Sequence, residues 1–323
     1  MEKIKNKKIC IVSDSFIPYP ISATGMIYNL CKQFNYQGFE VISIHGATNN
    51  KIRNSDHNYS FENIETISTS LLSNLRNKNN FLKLIFEIVL SLILAFKCIC
   101  NYKKIKDLDL IICYGPSAFL WFCVLIIKLI SKAKVYYILR DIFPDWLVAV
   151  KLINNKFIIK ILEFLSFPQY IVPDYIGVET EFNKSYLIKK LIKKKYTKKL
   201  ETLYNWPSLT KKNTKLKKNS VVSKFFKQII NKQNRYITTG VYVGNRSIAH
   251  DYYSAHDFLK KNDFAIELNI FGDGSSLNNK ASTEKDFIET SWGYIPELYL
   301  SSILEKVDFG LVTLNNNLLT QNI

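Results

Sequence analysis

Short, unbroken apolar runs separated by helical stretches constrain this chain more than any other feature of its sequence. "KICIVS" at residues 8–13 has no polar side to alternate with, which fits a strand buried on both faces of a parallel sheet. Residues 25–36 then carry apolar side chains at helical spacing, Gly38 closes that helix, and "FEVISIHG" supplies the next strand. The rhythm repeats through a helix around residue 90, the strand "LDLIICYG", a helix capped by Ser117 that runs to Ile130, and the strand "KVYYIL". "YIGVET" and "LETLYN" add two short strands around a lysine-rich helix. Alternation of this kind is α/β and winds a parallel sheet on both faces.

With 323 residues, 47% of them hydrophobic, the chain has the length and apolar content for two domains. After Pro207 it turns polar and lysine-rich in "SLTKKNTKLKKNS", with no sustained apolar period. Residues 208–235 therefore read as a linker following an N-terminal unit of residues 1–207. A second strand-helix series over residues 236–323 has its strands in "YITTGVYVGN", "AIELNIFGDGSS", "IETSWGYI" and "VDFGLVTL", and it reads as unfinished because no closing helices follow the last. Two doubly wound units leave a cleft, and open parallel sheets bind ligands at the carboxyl ends of their strands.

A formal charge of +17 attracts anionic partners such as nucleic acid, nucleotide phosphate or an acidic membrane face, while a biased base composition would produce much of it with no partner at all. Residues 182–200 hold eight lysines and no acid around Leu187, Ile188, Leu191 and Ile192. That pattern is a basic amphipathic helix, suited to an anionic membrane surface or to a solvated face. Only Tyr186 and Tyr196 lie near it for base stacking, so nucleic acid is not an expected partner. From Leu84 to Phe96 only Glu87 and Ser91 interrupt an apolar run. As a helix it reaches roughly 20 Å, short of the roughly 30 Å hydrocarbon layer of a bilayer, so it reads as buried or as dipping into a membrane surface. The six cysteines sit mostly in apolar runs as small hydrophobes, and no secretory signal is visible, which together imply a reducing, cytoplasmic compartment.

The loop "SDSFIPYPISATG" is too long for the tight G-x-G-x-x-G turn of a dinucleotide site, which argues against a nicotinamide dehydrogenase. Ser22, Thr24 and Gly25 stand at a helix start, where free N–H groups favour a phosphate or simply receive an N-cap. Gly244 with Asn245 and Arg246, and Gly272 in "FGDGSS", place glycine turns at two successive strand ends where a phosphate can approach closely; Arg246 is equally at home as a solvated loop residue. The four histidines are scattered, and Asp107 and Asp109 precede their strand, so no metal is expected. "ILRDIFPDW" sets Arg140 and Asp141 at the mouth of the core, where opposite charges offset part of each other's desolvation.

Taken in order, "IVSDSFIPYP", "ATGMIYNLCKQFNYQGFEVISIHG", "LRDIFPDW", "LYNWP", "VYVGN", "IFGDGS" and "SWGYIPELYLSSILEKVDFGLVTL" resemble family 4 of the glycosyltransferases. The likeness is greatest to bacterial transferases of lipopolysaccharide and O-antigen assembly, including the N-acetyl-fucosamine transferase group. It implies the GT-B fold: two Rossmann-like doubly wound domains, the second incomplete, with a nucleotide-sugar donor held mainly by the C-terminal one and the acceptor by the N-terminal one. It also implies retaining transfer without a metal or other cofactor, from a UDP-linked donor to a lipid-linked saccharide, by an enzyme peripheral on the inner face of the cytoplasmic membrane.

The same resemblance assigns residues. Asp141 would face a sugar or acceptor hydroxyl, with Arg140 steadying it or meeting a phosphate. Thr24 and Gly25 would approach the donor phosphates, while Gly244, Asn245, Arg246 and Gly272 would line the donor side. The Trp292-Gly293-Tyr294-Ile295 turn would lie beside the base, and Asn205 would be structural at the interdomain crossing. Met26 and Ser247 stand where relatives commonly carry glycine. A Pro-Gly-Lys segment and paired glutamates typical of the family do not occur before Ile323. A C-terminally truncated transferase is therefore expected, the alternative being a non-catalytic remnant that binds membrane or partner proteins.

Overall fold

The computed structural model describes residues 7–17, 22–46, 63–69, 80–191, 194–206, 220–232, 237–244, 246, 251–261, 265–272, 282–284, 287–293, 295 and 299–314. The chain divides between Ser208 and Leu209 into two units.

The first unit opens with β1 (Lys8–Ser13), α1 (Ser22–Tyr36), β2 (Glu40–Gly46), β3 (Ile64–Thr69), α2 (Asn80–Cys100), α3 (Tyr102–Ile105), β4 (Leu110–Gly115) and α4 (Trp121–Ser131). It continues with β5 (Lys134–Leu139), α5 (Asp145–Ala149), α6 (Lys156–Ser166), α7 (Pro168–Ile171), β6 (Tyr175–Val178), α8 (Glu181–Leu191), α9 (Lys194–Thr197) and β7 (Leu200–Thr202). Its seven strands run in the order β3-β2-β1-β4-β5-β6-β7, each parallel to its neighbours. The order reverses at β1, so the carboxyl ends of β1 and β4 flank the topological switch point. Helices cover both faces, which is why Ile9 to Val12 and Ile111 to Cys113 are all buried and read as unbroken apolar runs. Edge strand β3 escaped the sequence reading because only Ile64, Ile67 and Thr69 of it are buried, which leaves little apolar signal.

The second unit comprises α10 (Ser220–Lys232), β8 (Thr238–Val243), α11 (Tyr252–Lys260), β9 (Ile266–Phe271), β10 (Ser282–Glu284), β11 (Phe287–Gly293), α12 (Leu300–Leu304) and β12 (Phe309–Leu311). The strand order is β10-β11-β9-β8-β12. All pairs are parallel except β10 with β11, and the reversal falls at β8.

Several expectations need correction. Part of the expected linker at 208–235 is helix α10, whose Val222 and Phe225 are fully buried. Its apolar residues recur as Val221, Val222, Phe225 and Phe226, a helical spacing that the surrounding lysines mask in composition. The lysine-rich segment forms α8 and α9; Leu187, Leu191 and Tyr196 join the main core, while Ile188 stays exposed and Ile192 lies outside the described residues. Helix α2 is longer than its apolar run and only half-buried. Leu90, Leu94 and Cys98 face the core, while Leu92, Phe96 and Ile99 are exposed. No helix among the described residues is long and apolar enough to cross a membrane. Ser117 does not cap α4; its hydroxyl donates to Glu87 Oε2 at 3.0 Å.

Phe225 packs edge-on against Phe271 at 5.1 Å and Trp292 at 5.6 Å between ring centroids. If α10 belongs to the second unit, Phe225→Ala destabilises that unit by about 3 to 5 kcal/mol. Denaturant unfolding followed by Trp292 fluorescence checks this, and an unchanged midpoint would return the segment to a linker.

Candidate functional site

In the first unit the interiors of the central strands β1, β4 and β5 are dominated by buried apolar side chains, and charged groups collect at their carboxyl ends. β5 ends at Leu139, and Arg140 follows it with a side chain only 10% exposed. A guanidinium buried to that degree needs a partner for each nitrogen. Nε donates to Tyr114 Oη at 3.0 Å, Nη2 donates to Asn205 Oδ1, and Nη1 lies 2.8 Å from Glu179 Oε1 as an ion pair. The Nη1–Glu179 contact is close but does not have hydrogen-bond alignment. Tyr114 and Trp206 each present a ring to the cation, at 5.3 and 5.8 Å, and the sulfur of Met26 is 3.7 Å from Nη2. One residue thus ties together the ends of β4, β5, β6 and β7 and the first turn of α1. Arg140 is held by protein groups, and its carboxylate partner is Glu179, not the adjacent Asp141.

Asp141 is partly buried. Burial and the negative charge of Glu179 push its carboxyl up to about 6, with Asp14 adding in the same direction and Lys83 and Arg140 opposing. A carboxyl titrating there exchanges protons near neutrality, as a general acid or base must. On the neighbouring strands, Asp14 follows β1 and accepts from Ser15 Oγ at 3.1 Å. His45 ends β2, is 7% exposed, and stacks on Phe16 with ring centroids 4.9 Å apart. Burial lowers the His45 imidazole to about 4, so it is neutral at pH 7. With Nδ1 2.9 Å from the Gly46 carbonyl as donor, its Nε2 is an acceptor without a hydrogen-bond partner among the described residues.

Of the N-terminal residues singled out from the sequence, Thr24 is buried and Gly25 precedes Met26 in the first turn of α1, beside the Arg140 cluster. Asn205, expected to be structural, belongs to that cluster and also donates to Glu179 at 3.3 Å. Glu179, Tyr114, Asp14 and His45 were missed. Glu179, Asp14 and His45 share one sequence signal, a polar residue immediately at or after the end of an apolar strand.

In the second unit, Gly244, Gly272 and Gly293 close three adjacent parallel strands, all at positive φ. Gly272 has no substitute, because a Cβ there would lie 2.4 Å from the Gly244 carbonyl oxygen. The two turns are stitched together: the Gly244 N–H donates to Phe271 O and the Gly272 N–H to Gly293 O, both at 2.9 Å. Their contribution to a ligand is therefore a floor without side chains, not free amide donors. Arg246 does not stand free over this floor; it lies 3.9 Å from Glu289 and stacks on Tyr252, with His256 Nε2 also 2.9 Å from Glu289. Trp292 and Ile295 are core residues, Trp292 donating to Asn269 Oδ1 at 2.8 Å, so neither side chain is presented to a base. Asn245 and Tyr294 lie outside the described residues. Among the described residues no group of three His, Cys, Asp or Glu is placed to hold a metal.

No family model and no curated protein matches this sequence. Solved structures do. The lipopolysaccharide outer core galactosyltransferase WaaB in its apo form matches with TM-score 0.52 and 14% identity, over 95% of this chain and 74% of that one. Anabaena Alr3699/HepE in complex with UDP-glucose matches with TM-score 0.58 and 13% identity, over 95% and 74%. Arabidopsis thaliana UGT89C1 complexed with UDP-L-rhamnose matches with TM-score 0.55 and 14% identity, over 94% and 73%. The chain therefore has the GT-B fold, with two Rossmann-like units.

The raised Asp141 carboxyl has a stability signature. A carboxyl held above its unfolded value of about 3.9 binds its proton more tightly in the folded state. Stability is therefore lost as pH rises from about 4 through 6. Asp141→Asn is expected to recover about 3 kcal/mol at pH 7.5 and almost nothing at pH 4. Paired denaturant titrations at the two pH values check this, and a variant less stable at pH 7.5 would contradict it.

Proposed function

We propose that this chain is a retaining, metal-independent glycosyltransferase of the family 4 type. Its donor is a UDP-linked sugar, an N-acetylated deoxyhexosamine, and its acceptor is a lipid-linked saccharide at the cytoplasmic face of the membrane, in lipopolysaccharide or O-antigen assembly. The observation that carries the reading is Asp141: a carboxyl pushed up to about 6 at the end of a central strand, beside a cation whose partners fix it in place. The UDP, UDP-glucose and UDP-L-rhamnose bound in similar GT-B structures support a nucleotide-sugar donor.

In this reading the acceptor hydroxyl hydrogen-bonds to Asp141, its oxygen bonds the anomeric carbon, and the bond from that carbon to the phosphate oxygen breaks, with UDP leaving with the electron pair. The hydroxyl proton ends on the departing phosphate or on solvent. His45 Nε2 and Asp14 are further polar groups for an acceptor sugar at the neighbouring strand ends. The Gly244-Gly272-Gly293 floor in the second unit admits the diphosphate and ribose without side-chain obstruction.

The test is UDP release from a panel of nucleotide sugars in the presence of membrane-lipid acceptors, with calorimetry of each donor alone. A UDP-sugar should give heat and acceptor-dependent release, and Asp141→Ala should lower kcat/KM by about 10² to 10⁴. Full turnover by Asp141→Ala, or no heat with any UDP-, GDP- or dTDP-linked sugar, would overturn the proposal.

A further inference from the structure

Helix α6 is built inside out. Of its eleven residues only Leu162 and Ser166 are buried, while Phe157 is 71% and Phe164 80% exposed, with Ile158, Ile161 and Leu165 at 39 to 45%. At about 100° per residue these five side chains fill roughly 120° of the helix surface. An apolar arc of that kind, led by two phenylalanines, is unusual for a face meeting only water.

Charge selects the partner. Exposed Lys156 and Lys160 flank the arc on one side, and exposed Lys151 sits on the turn before the helix. The acids nearby are already matched: Lys190 pairs with both Asp145 and Glu163, the latter at 3.6 Å. An apolar arc bordered by unmatched lysines, on a chain of net charge +17, fits the boundary between acyl chains and anionic headgroups. A protein partner would need acids around an apolar groove; a bilayer supplies both features along the whole helix.

The helix is also fixed to the candidate site. Leu162 packs in one cluster with Phe143, two residues beyond Asp141, and with Leu84 and Ile88 of α2. The Trp121 indole N–H at the start of α4 donates to the Leu165 carbonyl at 3.1 Å. We propose that α6 lies flat in the interface of an anionic phospholipid bilayer, with Phe157 and Phe164 inserted and Lys156 and Lys160 at the headgroups, which holds the Asp141 loop at the membrane surface. The lysine-rich α8 offers less apolar surface than α6, since its Leu187 and Leu191 are buried in the core. It draws on the proposed lipid-linked acceptor only for its purpose, because lipid binding needs neither donor nor transfer.

The experiment is co-flotation of the full chain, without donor, with phosphatidylcholine vesicles and with vesicles containing phosphatidylglycerol. The chain should float with the anionic vesicles and less with the neutral ones. Phe157→Ser with Phe164→Ser should weaken that partition by about tenfold or more, and Lys156→Glu with Lys160→Glu should weaken it and remove its salt dependence. Unfolding midpoints should not fall in either variant, since these side chains are exposed, and release from a soluble acceptor should persist. Equal flotation of the phenylalanine variant would overturn the proposal. So would a chain that ignores vesicles and sediments as a dimer that the same variant dissociates. Flotation without any UDP-sugar turnover would leave this proposal standing and remove the transferase reading instead.

Discussion

Burial of the first unit's strands on both faces is the constraint from which the site follows. Ile9 to Val12 and Val135 with Tyr137 to Leu139 leave no face on which a charge can sit, so along these central strands charged side chains gather at the ends. There the most demanding group is the Arg140 guanidinium. Removing one partner of such a buried ion costs about 3 to 5 kcal/mol, and here the partners come from three other strand ends. Arg140 thus ties four strand ends, those of β4, β5, β6 and β7, into one fixed edge. Asp141 gains from this: its neighbour's charge is largely spent on Glu179, so Arg140 lowers the carboxyl less than burial raises it.

The second unit solves a different problem. Its glycine turns bond to each other, and that internal stitching explains why Gly272 tolerates no side chain even before a ligand is considered. The aromatic residues near them, Phe225, Phe271 and Trp292, form a packed triad beneath the turn. Shape comes from the floor and rigidity from the triad, while Arg246 is held to one side by Glu289 and Tyr252.

Much of the architecture was legible because parallel strands buried on both faces write themselves as apolar runs, and β1, β2, β4 and β5 did so. Arg140 and Asp141 were legible as charges at the end of such a run. Their partners were not, since Glu179 and Asn205 lie 39 and 65 residues further on and only the strand order brings them near. Helix α10 was hidden by lysines that dominate composition without touching its buried side. Trp292 and Ile295 were assigned to a ligand by resemblance, yet burial claims large apolar side chains first. In the lysine-rich segment Leu187 and Leu191 likewise went to the core, whereas α6, unremarked in sequence, kept its apolar face outside.

The state of the Asp141 carboxyl tests the account most directly. Carbon-13 labelling of aspartate side chains, with the Asp141 resonance assigned by its loss in an asparagine variant, allows that group to be titrated alone. A midpoint near 6 is predicted from its burial and the charge of Glu179. A midpoint near 4, the ordinary value for an aspartate, would mean that the strand edge does not hold this carboxyl as described.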